Sequence, residues 1–158
     1  KEFEAKVRLG ENLENVDLSN LDLRNAKLRG ANLSKSKLTS VRLSGADLRQ
    51  TNLSKADMAW ANLDRANLEG ADLTETILYD SSLQEADLSN ANLTRVDLGE
   101  ANLTKANLTG ANLREAELSQ ANLTDANLYE ADVSGTNIDQ ASTTKSAVDL
   151  RAATRPDG

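Results

Sequence analysis

The sequence contains no cysteine and no histidine, a single proline, a single tryptophan and only 3% aromatic residues. Without cysteine there is neither a disulfide framework nor thiol chemistry, so redox usage says nothing about compartment. Without histidine the usual general base and the commonest transition-metal ligand are both missing. No apolar run approaches the roughly eighteen residues that a membrane-spanning helix needs. The chain has 158 residues and a net charge of −7, a length that suits one domain.

What the chain does have is one unbroken repeat over residues 11–140. An apolar residue returns every five positions from Leu13, Leu18 and Leu23 through Leu53, Met58 and Leu63 to Leu128, Val133 and Ile138, giving 26 units without an insertion. Two places before it stands a small residue, most often alanine (Ala61, Ala66, Ala71, Ala101, Ala106, Ala111), and one place before it stands mostly Asn or Asp. The unit reads Ala-Asn/Asp-Leu-x-x.

A period of five fits neither regular element. On an α-helix five residues turn about 500°, so successive leucines would scatter around the axis. On a flat strand, whose side chains alternate, leucines five apart would fall on opposite faces and half of them would meet water. The pattern becomes consistent if the chain turns a corner in every unit, so that each leucine and the small residue before it point to one shared axis. A closed path of such corners is the coil of a solenoid.

These residues resemble the pentapeptide repeat proteins, whose motif is a small residue, Asn or Asp, Leu or Phe, and two variable positions. The resemblance covers residues 11–140 and implies an all-β fold: a right-handed quadrilateral β-helix with four units, hence twenty residues, per coil. Rows twenty apart agree with it. Asn12, Asn32, Asn52, Asp72, Asn92, Asn112 and Asp132 are all Asn or Asp, and Ala26, Ala46, Ala66, Ala86, Ala106 and Ala126 are all alanine. The exceptions at the polar position (Lys27, Lys37, Arg42, Ile77, Ser82, Glu117) fall on the other three faces. At the strand spacing of about 4.8 Å, some six and a half coils make a rod roughly 30 Å long, with end coils that need caps.

Residues 1–10 lie outside the repeat. Phe3, Val7 and Leu9 suit a short turn or helix covering the first coil, and a disordered leader is the alternative. Residues 141–158 also leave the pattern, and a short capping helix over about residues 144–153, ending before Arg155-Pro156, is expected because proline restricts the residue before it. Up to Lys55 the repeat is looser, with Val16, Leu21, Ser36, Val41 and Thr51 in the small position. Gly30, Gly45, Gly70, Gly110 and Gly135 close their units, where glycine can take the positive φ of a tight corner. Their spacing is that of the repeat, and no Gly-Lys-Ser/Thr follows, so they are not a phosphate loop.

Charge is unevenly distributed. Residues 1–55 sum to +4 and residues 56–140 to −12, so the rod is basic at its N-terminal end and acidic beyond. Assigned to faces by the twenty-residue rule, one side of the later coils collects Asp57, Asp80, Asp97, Glu100, Glu117 and Asp139 together with Trp60, Ile77 and Tyr79. The three apolar residues form the conspicuous exposed cluster expected on the outside of the solenoid, and the first candidate for a protein contact. The alternative is that Trp60 and Tyr79 only shield the backbone of adjacent coils.

Catalysis is not expected. A nucleophile, base or metal must be held in a pocket, and so narrow a solenoid offers no concave cleft; pairs such as Asp97 and Glu100 read as solvated surface charge. No cofactor or metal is expected. A calcium site needs six to eight converging oxygens, whereas stacked Asn and Asp side chains more economically bond to each other or to the turns.

Two functions follow. The first is a non-catalytic scaffold that binds a protein through the flat sides of the rod, as the resemblance to cyanobacterial and plastid members implies; the compartment would then be cytoplasm or thylakoid lumen. The second is a mimic of DNA: some members of the family bind DNA gyrase or topoisomerase IV, inhibiting the enzyme or protecting it from quinolones, and carboxylates could occupy a basic DNA channel as phosphates do. The basic early coils, the lack of phenylalanine at the central position, the lack of an interrupting loop and the weakly apolar 141–158 segment depart from that group. Direct binding of nucleic acid through Lys27, Arg29 and Arg49 is opposed by the net charge. No small-molecule substrate or membrane partner is expected; monomer and end-to-end dimer both stay open.

Overall fold

The five backbone N–H groups of one unit show why the chain coils. In residues 62–66, Asn62 N–H donates back to the Val41 carbonyl (2.9 Å), Leu63 N–H forward to Ser82 (2.7 Å) and Arg65 N–H forward to Gln84 (2.9 Å), while Ala66 N–H closes the turn onto Leu63 (2.9 Å). The fifth, Asp64 N–H, has no backbone acceptor and donates to Asn62 Oδ1 at 3.1 Å. Every donor is satisfied, as backbone near a core must be. The fifth bond explains the Asn/Asp position: a short side-chain oxygen two residues before the donor is an Asx turn, which Leu or Ala cannot make.

The same scheme repeats along the computed structural model, which describes residues 5–6 and 11–141. Isolated parallel bridges join each residue to the one twenty further on, from Asp17 and Lys37 to Asn112 and Asp132. The coil of twenty is therefore observed, four units to a turn, and the sheets are reduced to one bridging residue per unit. We number the faces by their central residues: the first carries Leu33 and Leu53, the second Met58 and Leu78, the third Leu63 and Leu83, the fourth Leu68 and Leu88.

The central residues fill the axis. Leu13, Leu18 and those from Leu28 to Val133 are buried, as are the alanines two places before them. Hydroxyls in the small position are accommodated by backbone carbonyls, of the preceding coil for Ser36 (Leu13, 3.1 Å), Thr51 (Leu28, 3.1 Å) and Thr76 (Leu53, 2.8 Å) and of their own turn for Ser81 (Leu78, 2.7 Å) and Thr136 (Val133, 2.8 Å). Leu21 differs from its inward expectation, being 39% exposed, and Leu23 is only partly buried. Both stand in the first coil, whereas Val41, one coil on in the same slot as Leu21, is 0% exposed.

At each corner the last residue of the unit adopts a left-handed conformation. The five glycines do so, with φ between +64° and +71°, and so do twenty non-glycine residues, including Arg65, Glu85, Lys105 and Trp60. With the following N–H bonded three residues back, this is the pattern of a type II turn. An L-residue in this region costs roughly 1–2 kcal/mol, which stacking between coils must offset. Glycine is therefore not required at the corners, a point the five sequence glycines alone do not reveal.

The last coil ends differently. Leu118 N–H donates to the side-chain oxygen of Asn137 (2.6 Å) in place of the backbone carbonyl that earlier leucines reach. The backbone is thereby released into a 3-10 helix, Ile138–Gln140, whose Gln140 carbonyl receives Gln120 N–H at 3.0 Å. Near the other end Ala5 and Lys6 are helical, and the Lys6 carbonyl accepts Glu11 N–H at 3.0 Å. The remainder of the expected N-terminal cap and the expected helix over 144–153 lie outside the described residues.

Two substitutions test this architecture. Leu83, 0% exposed at mid-stack, replaced by Asp buries an unpaired carboxylate, and the cost of more than about 3 kcal/mol should abolish the cooperative melt seen by circular dichroism. A Tm within a few degrees of the parent contradicts the coil assignment. Lys105→Gly removes the left-handed penalty at φ +60° against glycine's larger unfolded-state entropy, and should raise stability by about 0.5–1 kcal/mol in urea unfolding.

Candidate functional site

The second face departs from the repeat chemistry in two places. At the corner position Trp60 holds φ +58°, a conformation uncommon for any non-glycine residue and a pronounced outlier for a bulky one. In the next coil Ile77 occupies the Asn/Asp slot, so Tyr79 N–H lacks the side-chain acceptor that Asn62 supplies to Asp64. Lys27, Lys37 and Arg42 also cannot accept there, but those are charged residues of the early coils. Ile77 gives up a turn bond and places an aliphatic side chain in water.

The result is an exposed apolar surface: Trp60 is 57% exposed, Ile77 41% and Tyr79 36%. Trp60 and Tyr79 lie in adjacent coils, with Trp60 N–H on the Tyr79 carbonyl at 3.0 Å. The Tyr79 ring lies over Gly99, where a Cβ would stand 3.2 Å from ring carbon Cδ2 and 3.2 Å from Asp97 Oδ1; the glycine lets the ring settle on the backbone. Its hydroxyl donates to Glu100 Oε1 at 2.5 Å. That hydrogen bond, then reduced solvation, then the Glu100, Asp80 and Asp97 charges raise the phenol pKa above its ordinary value.

Carboxylates frame this surface. Ile77 bridges Asp57 on one side and Asp97 on the other, and Asp97 bridges Glu117 in turn. Asp57 and Asp97 each accept the N–H two residues on, from Ala59 and Gly99. Glu117 accepts Ser119 N–H and Asn137 Nδ2, and its carboxyl is held below the usual range first by the Ser119 side chain, then by Asn137 and then by the Ser119 N–H. Asp80 and Glu100 follow Trp60 in the corner row. Asp139, assigned to the same face, lies in the terminal 3-10 helix.

Among the described residues the one cation on this face is Lys37, which bridges Asp57 from the coil before. The second-face segments 56–60, 76–80, 96–100 and 116–120 contain no Lys or Arg, and the ion pairs lie on other faces. Arg24 and Arg42 meet Asp22, and Arg65 meets Glu85, on the third. Lys35 meets Glu14, Lys55 meets Glu75, Arg95 meets Glu115 and Arg114 meets Asp132 on the first. Arg49 meets Asp47 on the fourth. The bonds that Arg24 donates pull the Asp22 carboxyl down to about 2. Of the basic trio Lys27, Arg29 and Arg49, Arg49 is thus engaged with a carboxylate and Arg29 donates to Gln50 Oε1 at 3.3 Å.

The expectation of no concavity needs correction. A shallow depression of about 460 Å³ runs along the third face between Arg24, Ser44, Gly45, Asp64, Arg65 and Glu85, formed where Gly45 interrupts a row of longer side chains. Its charged groups bond to neighbours: Arg65 Nε to Glu85 (3.0 Å), Ser82 Oγ and Gln84 N–H to Asp64 Oδ1. Among the described residues no three carboxylates converge closely enough to hold a cation, and no helix is long and apolar enough to cross a membrane. The Asn/Asp rows bond mainly to their own turns, with lateral contacts such as Asn32 Nδ2 on Asn12 and Asn107 Nδ2 on Asp87. Sequence reasoning also passed over Tyr129, 39% exposed on the fourth face.

The Tyr79–Glu100 contact makes a checkable statement about pH. In a Tyr129→Phe background the remaining phenol should ionise at higher pH than free tyrosine by ultraviolet titration, because deprotonation abolishes the bond it donates and sets a phenolate beside a carboxylate. Glu100→Gln should lower that pKa. An unchanged midpoint contradicts the contact.

The comparisons agree with this architecture. The model of the family described as pentapeptide repeats matches residues 12–45, 42–80, 81–120 and 106–142. A search among curated proteins finds no match. Among solved structures the chain is similar to HetL, a pentapeptide repeat protein involved in heterocyst differentiation regulation in the cyanobacterium Nostoc sp. strain PCC 7120, with 27% identity, 99% of this chain and 97% of that one covered, and a TM-score of 0.51. It is also similar to Rfr23 of the cyanobacterium Cyanothece 51142 (29% identity, 95% of each chain, TM-score 0.31) and to a trypsin-treated variant of QnrB1, a plasmid-mediated fluoroquinolone resistance protein (17% identity, 92% and 84%, TM-score 0.48). With a β-helical repeat over nearly all described residues and a family match from residue 12 to residue 142, the chain belongs to the pentapeptide repeat family.

Proposed function

We propose that this chain is a non-catalytic scaffold that binds another protein through its second face, with Trp60, Ile77 and Tyr79 as the apolar contact and Asp57, Asp80, Asp97, Glu100 and Glu117 around it. The observation that carries the reading is the coincidence on one face, in adjacent coils, of two local sacrifices: an aromatic residue in a left-handed corner and an isoleucine in a slot that elsewhere stabilises the turn. Departures from local rules without local compensation collect at functional sites. In the same reading the coil is four-sided and right-handed, the hand that L-residues favour when parallel strands are joined by crossovers.

A second reading is supported by the uncompensated carboxylates. Five acids on a face whose one described cation is Lys37 could occupy the basic channel of DNA gyrase or topoisomerase IV by the electrostatics that hold phosphates. The ion-paired first and third faces give this reading less support, because a DNA-like rod should present net negative charge around much of its girth.

Two measurements separate these from a merely structural role. Trp60→Gly relieves the left-handed corner, so a contact role predicts a Tm equal to or a few degrees above the parent; a clear fall would make Trp60 a shield for the backbone and remove it from the contact. A supercoiling assay with DNA gyrase decides between the two partners. The scaffold reading predicts no effect at micromolar concentration, and inhibition that disappears in Asp97→Lys/Glu100→Lys would put the enzyme in its place.

A further inference from the structure

Resting on the second face as a contact surface, we infer that the segment it takes from its partner is one that presents arginine guanidinium groups across Trp60 and Tyr79. The apolar residues and the acids are interleaved on this face. Ile77 lies between Asp57 and Asp97 in the bridging row, and Asp80 and Glu100 follow Trp60 coil by coil in the corner row. Coils stack about 4.8 Å apart, so a planar cation over either ring has a carboxylate within reach one coil away. The Tyr79 hydroxyl already holds one such carboxylate, Glu100, at 2.5 Å.

This arrangement selects among partners by chemistry. A neutral apolar segment would cover the rings but desolvate the surrounding acids without replacing their water, which opposes docking. A lysine ammonium satisfies a carboxylate as a compact, strongly hydrated charge and stacks poorly. A guanidinium is weakly hydrated and planar, so it can lie on an aromatic face while its N–H fork reaches a carboxylate. Beside the two rings the chain itself supplies no cation: Lys37 bridges Asp57 a coil earlier, but Asp80, Asp97 and Glu100 belong to none of the ion pairs found among the described residues, while first-face and third-face acids are paired across coils. Complementarity is left to the partner.

Trp60 is the sole tryptophan, so its emission reports this face directly. The experiment titrates the full chain with an acetylated, amidated peptide that alternates arginine and serine around a central leucine, and with its twin carrying lysine for arginine. The arginine peptide should change Trp60 emission saturably and bind at least about tenfold more tightly than the lysine twin. Asp97→Lys/Glu100→Lys should weaken it by more than tenfold, as should the milder Asp80→Asn/Glu100→Gln if the first variant folds poorly; Asp72→Lys on the first face should leave it unchanged. Equal affinity for the two peptides, or equal loss with Asp72→Lys, would show charge attraction alone and overturn the inference. Absence of binding by both peptides overturns it as well. The underlying contact reading fails separately, by a lowered Tm in Trp60→Gly, so an inference that fails while that Tm holds leaves the face in place and removes only the guanidinium.

Discussion

Every part of this molecule depends on one corner, repeated every five residues, at which the chain enters the left-handed region and turns. The corner is unfavourable by itself for most of the residues that make it: twenty of them are not glycine. It is held because both neighbours in the stack bond to it, Arg65 N–H to the coil ahead and Asn62 N–H to the coil behind, and because the leucine between them has no other dry place to go. Hydrogen bonding and burial act on the same residues, so neither can be satisfied with the coil opened. Stability in such a stack is close to a sum over neighbouring coils.

That economy has a consequence for function. With the leucine and the small residue inward and the Asx oxygen committed to its turn, each unit leaves its last two positions largely free, and the faces become rows on which chemistry can be written without altering the core. The first and third faces use this freedom for ion pairs between coils, such as Arg95 with Glu115 and Arg65 with Glu85. The second does not: it places aromatic and aliphatic surface where the repeat would allow a polar residue, and leaves Asp80, Asp97 and Glu100 outside any ion pair found among the described residues. Exposed pairs of this kind contribute little to stability, commonly below about 1 kcal/mol, so the difference between faces bears on what each can meet more than on how firmly the rod folds.

Much of this is legible in the sequence, because a five-residue period admits so few geometries. The coil of twenty could be read from rows such as Asn12, Asn32 and Asn52, and the bridges fall on those rows. The outward placement of Trp60, Ile77 and Tyr79 followed from register alone. Other features were hidden for physical reasons. The left-handed corner at Lys105 or Glu85 carries no signature in residue type, since stacking imposes a conformation that local propensity disfavours. Leu21 sat in a slot the pattern reads as inward, and its exposure reflects its place in the first coil, since Val41 in the same slot of the next coil is buried. The depression beside Gly45 arises from the lengths of four side chains in successive coils, and the exchange of a backbone carbonyl for Asn137 Oδ1 at the last coil depends on where the stack stops.

The most direct test of the account is the register itself, and a chain without cysteine makes it simple. With Asn62 and Ser82, a bridging pair twenty apart, both changed to Cys, the Cα atoms should stand about 5 Å from one another, within reach of a disulfide. Mild oxidation of the folded protein should close that bridge nearly completely, as read by mass spectrometry. The pairs Asn62→Cys/Ile77→Cys and Asn62→Cys/Asp87→Cys, one unit out of step on neighbouring faces, should stay reduced under the same conditions. Closure of either offset pair in preference to the twenty-residue pair would contradict the four-unit coil, and with it the placement of every residue on the second face.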